Sequence, residues 1–137
     1  MRKQRITKIM SANVITVDRD QPLSEVWDIL SLNHIHHVPV VDGAKPVGVI
    51  SSTDILRLAY DFDGTHDRML RAMLDYQFSI EDAMSAELVT ATVDATVHDA
   101  ADLLANGDRH SVLVVDAIGD LVGIVTSTDL IRFLRDL

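Results

Sequence analysis

The sequence predicts an α/β protein of the α+β kind, built as two lobes related by a pseudo-twofold axis. Three observations predict it. One pattern occurs twice, over residues 10–58 and again over residues 84–133. Within each copy, short β-branched runs alternate with stretches of helical periodicity. Each copy closes on the same strand-to-helix motif, Gly48 to Asp54 and Gly123 to Asp129.

The copies stand 74 residues apart, and at that spacing Met10/Met84, Ser11/Ser85, Ala12/Ala86, Thr16/Thr90, Asp20/Asp94, Asp28/Asp102, Leu30/Leu104 and His36/His110 are identical. One extra residue in the second copy's turn moves the spacing to 75. Gly48/Gly123, Ser52/Ser127, Thr53/Thr128, Asp54/Asp129 and Arg57/Arg132 then match. Lobes paired in this way place two equivalent crevices at their interface, a favoured place for ligands.

Each copy opens on a β-rich run, Val14 to Val17 and Leu88 to Val93. A helix is predicted next. Leu23, Val26, Trp27 and Leu30 fall on one stripe, and Pro22 suits the first helical turn. The second copy carries the smaller stripe Val97, Ala100, Ala101 and Leu104. Two strands follow, His37–Val41 and Val47–Ser51 around the turn Asp42 to Pro46, then Ser111–Val115 and Leu121–Thr126 around Asp116 to Asp120. Their near-continuous apolar character predicts a largely buried sheet. A closing helix carries Ile55, Leu56 and Leu58 in one copy and Leu130, Ile131, Phe133 and Leu134 in the other.

The copies are joined by Tyr60 to Ser79. Asp61 to Thr65 reads as a helix stop and loop, and His66 to Tyr76 as a helix bearing Met69, Leu70, Met73 and Leu74. Two readings fit that helix: a cover for the core edge, or a surface for a partner. The expected segments are 1–62, the first repeat with its N-terminal stretch; 63–79, a helical connection; and 80–137, the second repeat.

Composition narrows the function. The chain has 137 residues, no Cys and a net charge of −9. Thiol chemistry and Cys-based zinc sites are excluded. The acidic balance opposes nucleic-acid binding, which needs a basic face, and only Arg2, Lys3 and Arg5 cluster. No apolar run suits a membrane span, and the opening MRKQRITKIM lacks the apolar core of a secretory leader. The expected compartment is the cytoplasm.

The chemistry concentrates in the repeated motif. A helix N-terminus offers free N–H groups to phosphate. Ser51, Thr53, Thr126 and Thr128 add hydroxyls, and ionised Asp54 and Asp129 accept hydrogen bonds from ribose hydroxyls. Gly48 and Gly123 would let backbone approach a bound group. The same spacing also fits a plain helix cap, [ST]-x-x-[DE], and duplication copies caps as readily as sites. His36, His37 and His110 lie near the motifs, where an imidazole beside a phosphate gains charge close to neutral pH. They also read as half-exposed strand-edge residues. His34 and His36, on one face of a strand, with His66, form a weak metal candidate without the acidic ligand zinc favours. Glu25, Asp28, Asp99 and Asp102 read as solvated helix faces. No nucleophile elbow, phosphate loop or HExxH helix is present, so no enzyme activity is expected.

The order "IMS…VITV…HHVPVVD…GVISSTDIL", repeated as "MSAELVT…VLVVD…GIVTSTDLI", resembles a tandem pair of CBS (cystathionine β-synthase) domains, the Bateman module, over about Ile6 to Leu137. The resemblance implies two β-α-β-β-α units packed through their sheets, and a homodimer. It implies an adenosine-containing ligand such as AMP, ADP or ATP in clefts between the halves. Carried over residue by residue, it places Asp54 with Ser51 and Thr53 in one site and Asp129 with Thr126 and Thr128 in the other. Thr16 and Thr90 match adenosine-lining positions. His36, His37, His110 and Ser111 match phosphate-binding positions, and Pro39 belongs to the same strand. In the second copy Leu113 replaces that proline. The implied role is a stand-alone sensor that regulates an unidentified protein in trans. The alternatives are a structural dimerisation module with empty clefts and, third, a metal-binding protein.

Overall fold

The computed structural model describes residues 4–60, 62 and 67–137. After a 3₁₀ turn, Ile6–Lys8, the chain forms α1 (Leu23–Asn33), β1 (His37–Asp42), β2 (Lys45–Ser51), α2 (Ser52–Ala59), α3 (Asp67–Gln77), α4 (Ile80–Ala83), β3 (Thr90–Thr92), α5 (Val97–Leu104), β4 (Ser111–Val115), β5 (Leu121–Thr126) and α6 (Ser127–Arg135). Arg2, Lys3 and His66, together with most of the loop expected over Asp61 to Thr65, lie outside the described residues.

Two compact units result. One unit is Ile15–Glu87. The other joins Met1–Val14 to Leu88–Leu137. Hydrogen bonding explains the cut. In the first unit β1 and β2 are antiparallel, and Ser85 pairs with Val49 on the outer edge of β2 through bonds of 2.9 and 3.0 Å. In the composite unit β3 runs parallel to β4, β4 antiparallel to β5, and Ser11 pairs with Ile124 through bonds of 2.9 and 3.1 Å. Each Met-Ser-Ala segment thus closes an edge of the other copy's hairpin, satisfying backbone groups that would otherwise stand open.

The same crossing explains the strand glycines. A Cβ on Gly48 would stand 2.5 Å from Met84 Sδ. One on Gly123 would collide with Met10 Sδ and stand 3.2 Å from the Ser11 carbonyl oxygen. The space at each glycine is filled by a methionine of the crossing segment, which corrects the expectation that these glycines leave room for a bound group. Gly123→Ala is expected to cost about 1–3 kcal/mol, the usual range for overpacking. Adding Met10→Ala should recover part of that loss. A double-mutant cycle by urea denaturation checks it, and strict additivity would contradict the packing.

The first unit's core gathers Val17, Leu23, Val26, Leu30, Val38, Val40, Ile50, Ile55, Leu74, Ile80 and Ala83. Pro22 is the N-cap of α1, one position before the helix. The stretch Val14–Val17 is not a strand; only Val17 pairs, in parallel, with Val40. The β1–β2 pairing runs on to Asp42 and Lys45, so the turn is shorter than expected and uses Gly43 at φ 64°. Helix α3 is a cover: Leu74 is fully buried, and Leu70 and Met73 pack on the same core. Polar bonds fasten it to α1. Asp75 accepts from the Ser24 N–H at 2.8 Å and from its hydroxyl at 2.7 Å. Arg71 grips both oxygens of Asp28. Asp28 is therefore not merely solvated.

The Arg71 hydrogen bonds and charge hold the Asp28 carboxyl below its ordinary range, against a smaller opposing effect of burial. A lowered folded value means the pair stabilises fully above the ordinary carboxylate range and fades as pH falls through the folded value. Wild type should therefore exceed Arg71→Gln in urea resistance at pH 6, with the gap narrowing towards pH 3. A gap independent of pH would contradict this.

The composite unit's core gathers Ile6, Ala100, Leu104, Val112, Val114 and Val125. Ile6 is anchored by its N–H on the Ala95 carbonyl at 2.8 Å, while Gln4 accepts from Val97 N–H at the same distance. Arg5 pairs with Asp94 at 3.2 Å. Of the expected run Leu88–Val93, Thr90–Thr92 form β3.

Candidate functional site

Both motifs adopt one geometry. β2 ends at Ser51, which stays extended and becomes the N-cap of α2. The Ser51 hydroxyl oxygen accepts from Asp54 N–H at 3.1 Å, and Asp54 Oδ2 accepts from Ser51 N–H at 2.8 Å. At the start of α6, Thr126 Oγ1 accepts from Asp129 N–H at 3.4 Å. Asp129 Oδ2 accepts from Thr126 N–H at 2.8 Å and from the Thr126 hydroxyl at 3.2 Å. These are capping boxes.

The box alone does not mark a site. Ser79 with Asp82 and Thr96 with Asp99 make the same bonds at α4 and α5. The backbone N–H and hydroxyl of Thr96 hold the exposed Asp99 carboxyl below its ordinary range, with a smaller contribution from His98. Asp99 is thus a cap rather than a free surface acid. The motif acids differ in two respects. Their side chains are largely sheltered, at 20% exposure for Asp54 and 14% for Asp129. Their other oxygen, Oδ1, faces an arginine one turn on: Arg57 at 3.5 Å and Arg132 at 3.7 Å. The arginines themselves are mostly exposed, so these contacts are weak and exchangeable. The repeat match Arg57/Arg132 carried this signal in the sequence without a role attached.

The remaining residues gather by unit. His36 is exposed; its carbonyl accepts from Ser52 N–H at 2.9 Å and its Nδ1 stands 3.3 Å from Ser52 Oγ. The His110 carbonyl accepts from Ser127 N–H at 3.1 Å. Both imidazole-bearing residues are therefore tied to the first residue of a motif helix. His37 is half-buried opposite Ser51, and Ser111 is buried opposite Thr126. Val17 N–H bonds the Pro39 carbonyl at 3.1 Å, which brings half-buried Thr16 beside buried Pro39. Thr90 pairs with Leu113, the equivalent position. Thr53 and Thr128 are exposed on the first turns of α2 and α6. Unit Ile15–Glu87 thus holds Thr16, His36, His37, Pro39, Ser51, Thr53 and Asp54. The composite unit holds Thr90, His110, Ser111, Thr126, Thr128 and Asp129.

The strand face expected to carry the metal candidate does not form, and His66 lies outside the described residues. His34 ends α1 in a left-handed turn and His36 precedes β1, so they do not share a strand face. Among the described residues no group of three His, Asp or Glu side chains is placed to hold a metal ion.

The CBS domain family model matches residues 6–61 and again residues 80–136. The chain belongs to the CBS domain family. It is a CBS pair. A CBS domain-containing protein of Dictyostelium discoideum is 32% identical over 137 residues, covering 96% of this chain and 92% of that protein. The L-aspartate semialdehyde sulfurtransferase of Methanocaldococcus jannaschii is 31% identical over 128 residues. This CBS pair spans 22% of that enzyme and 33% of another protein of the same archaeon, to which it is 30% identical. Among solved structures, the CBS domain pair of MJ0100, in complex with 5′-methylthioadenosine and S-adenosyl-L-methionine, superposes with a TM-score of 0.81 at 29% identity, covering 97% of each chain. Arabidopsis thaliana CBSX2 in complex with AMP gives 0.81 at 23% identity, covering 98% of each, a likeness of fold. Among the described residues no helix is long and apolar enough to cross a membrane.

Proposed function

We propose that this CBS pair is a regulatory module, without catalysis of its own, that senses an adenosine-containing ligand such as AMP, ADP or ATP. The observation that carries the reading is the pair of sheltered carboxylates, Asp54 and Asp129. Each has one oxygen committed to the helix cap and the other, among the described residues, facing an exposed arginine. Ribose hydroxyls are suitable donors to that second oxygen. His36, His37, His110 and Ser111 supply donors for phosphate, and Thr16, Pro39 and Thr90 line the adenosine. Solved relatives of this fold in complex with AMP and with adenosyl ligands support the choice. The module works in the cytoplasm as a homodimer, and a separate protein reads its state. Leu56, Met69, Ile131 and Leu134 remain exposed and are the apolar residues offered to a second copy. Leu58 and Met73 pack on the first unit's core.

A thermal-shift panel of AMP, ADP, ATP, S-adenosyl-L-methionine and adenosine tests this reading. A ligand at about 100 times its Kd adds roughly 2.7 kcal/mol of stability. The proposal expects at least one adenosyl ligand to raise Tm while GTP and inorganic phosphate do not. A flat response to all of them returns the chain to the reading as a structural dimerisation module.

A further inference from the structure

Met10 and Met84 occupy equivalent places, one in each compact unit. Each backbone N–H bonds the carbonyl of a fully buried isoleucine four residues back, Ile6 at 3.1 Å and Ile80 at 3.0 Å. Each Sδ lies where the Cβ of a strand residue would stand, at Gly123 and at Gly48. The residue that follows each methionine makes the edge pairing, Ser11 with Ile124 and Ser85 with Val49. Both side chains pack on their unit's core, yet both are only half-buried.

Tight packing is thus combined with access from solvent. Oxidation of sulfur follows exposure, and a sulfoxide turns a flexible apolar side chain into a polar, chiral one. The chain has no Cys, so its only sulfur atoms are thioethers. Met69 and Met73 belong to α3 and fill neither strand glycine. At Met10 and Met84 the sulfur already touches the glycine, so an oxygen cannot be added on that side without displacing the side chain. Displacement empties the space at the glycine and removes support from the edge pair beside it.

We propose that Met10 and Met84 form a duplicated oxidation site for hydroperoxides, and that its oxidation releases both crossing segments. A sulfur lone pair attacks the terminal peroxide oxygen. The S–O bond forms as the O–O bond breaks, and the other oxygen leaves as water, or as an alcohol from an organic hydroperoxide. The sulfur loses two electrons and the peroxide gains them. β2 and β5, the strands that end in the two motifs, then lose their outer partners. The site uses none of the residues assigned to the adenosyl ligand, so it stands or falls independently of that assignment.

Hydrogen peroxide added to the intact protein tests this, with mass spectrometry locating the sulfoxides. Amide hydrogen exchange then reads the Ser11, Val49, Ser85 and Ile124 N–H groups, which donate across the two edge pairs. Sulfoxide is expected at both Met10 and Met84, with exchange of these amides roughly tenfold faster, as for an easier local opening. Met10→Leu/Met84→Leu, a volume-conserving exchange, should keep its exchange rates through the same treatment. Met69 and Met73 are retained in that variant, so their oxidation is common to both proteins. If the variant does not fold, repair of oxidised wild type by the two methionine sulfoxide reductases, one for each epimer, should return exchange to its starting rate. Intact thioethers at Met10 and Met84 when other methionines are oxidised overturn the proposal. So do sulfoxides at both positions with unchanged exchange, equal acceleration in the leucine variant, and exchange that stays fast after repair.

Discussion

Asp54→Asn and Asp129→Asn will each weaken adenosyl-ligand binding by about 1.5–3 kcal/mol, the value of a hydrogen bond to a charged group. Each corresponds to roughly a ten- to hundredfold loss of affinity. Asparagine is chosen because its amide oxygen still accepts from the Ser51 or Thr126 N–H, so the capping box persists. What changes is the charge at the second oxygen and its capacity to accept from both ribose hydroxyls. Asp82→Asn and Asp99→Asn are the internal controls, since these acids make the same caps without a motif around them. The account expects the controls to shift stability slightly and affinity not at all. Calorimetric titration of all four variants measures both. Unchanged affinity in a folded Asp54→Asn/Asp129→Asn double variant would leave the motif as two helix caps and nothing more.

The second large effect concerns autonomy. A fragment of residues 15–87 will fold cooperatively, and a fragment of residues 1–62 will not. The shorter piece contains a whole sequence repeat, yet it lacks Leu74, Ile80 and Ala83, all buried in the first unit's core. Truncating buried Leu or Ile side chains costs about 2–5 kcal/mol each, and an entire domain is stable by only about 5–15 kcal/mol. The fragment would also leave the outer edge of β2 open where Ser85 now pairs with Val49. Far-ultraviolet circular dichroism with urea titration distinguishes the two. Cooperative unfolding of 1–62, or its absence in 15–87, would contradict the exchanged-segment arrangement.

That arrangement also marks where sequence reasoning stopped. Helix α1 and strands β1, β2, β4 and β5 were legible because their apolar periodicity is local and strong. The pairing of Ser11 with Ile124 and of Ser85 with Val49 was not, because nothing in a short β-prone segment states which edge it will join. The signal existed in Ile6 and Ile80, which hold the same repeat spacing and are both fully buried. They extend the duplicated unit upstream of the Met-Ser-Ala segments. The glycines were misread for the same reason: a Cβ-free position is visible in sequence, but the atom that fills the space is not. Arg71 and Asp28 lie 43 residues apart, beyond any helical spacing, so a charge that clamps α3 passed for a solvated one. The residues assigned from the repeated motif fall into one set per compact unit; Thr16, His36, Thr53 and Asp54 stood out in the sequence because each has an identical match in the second copy.

Isothermal calorimetry of AMP with the intact protein tests the central claim most directly. The account predicts saturable binding, with no more than two sites per chain, and competition by adenosine. Absence of heat with AMP, repeated with ATP and S-adenosyl-L-methionine at several temperatures, would contradict it.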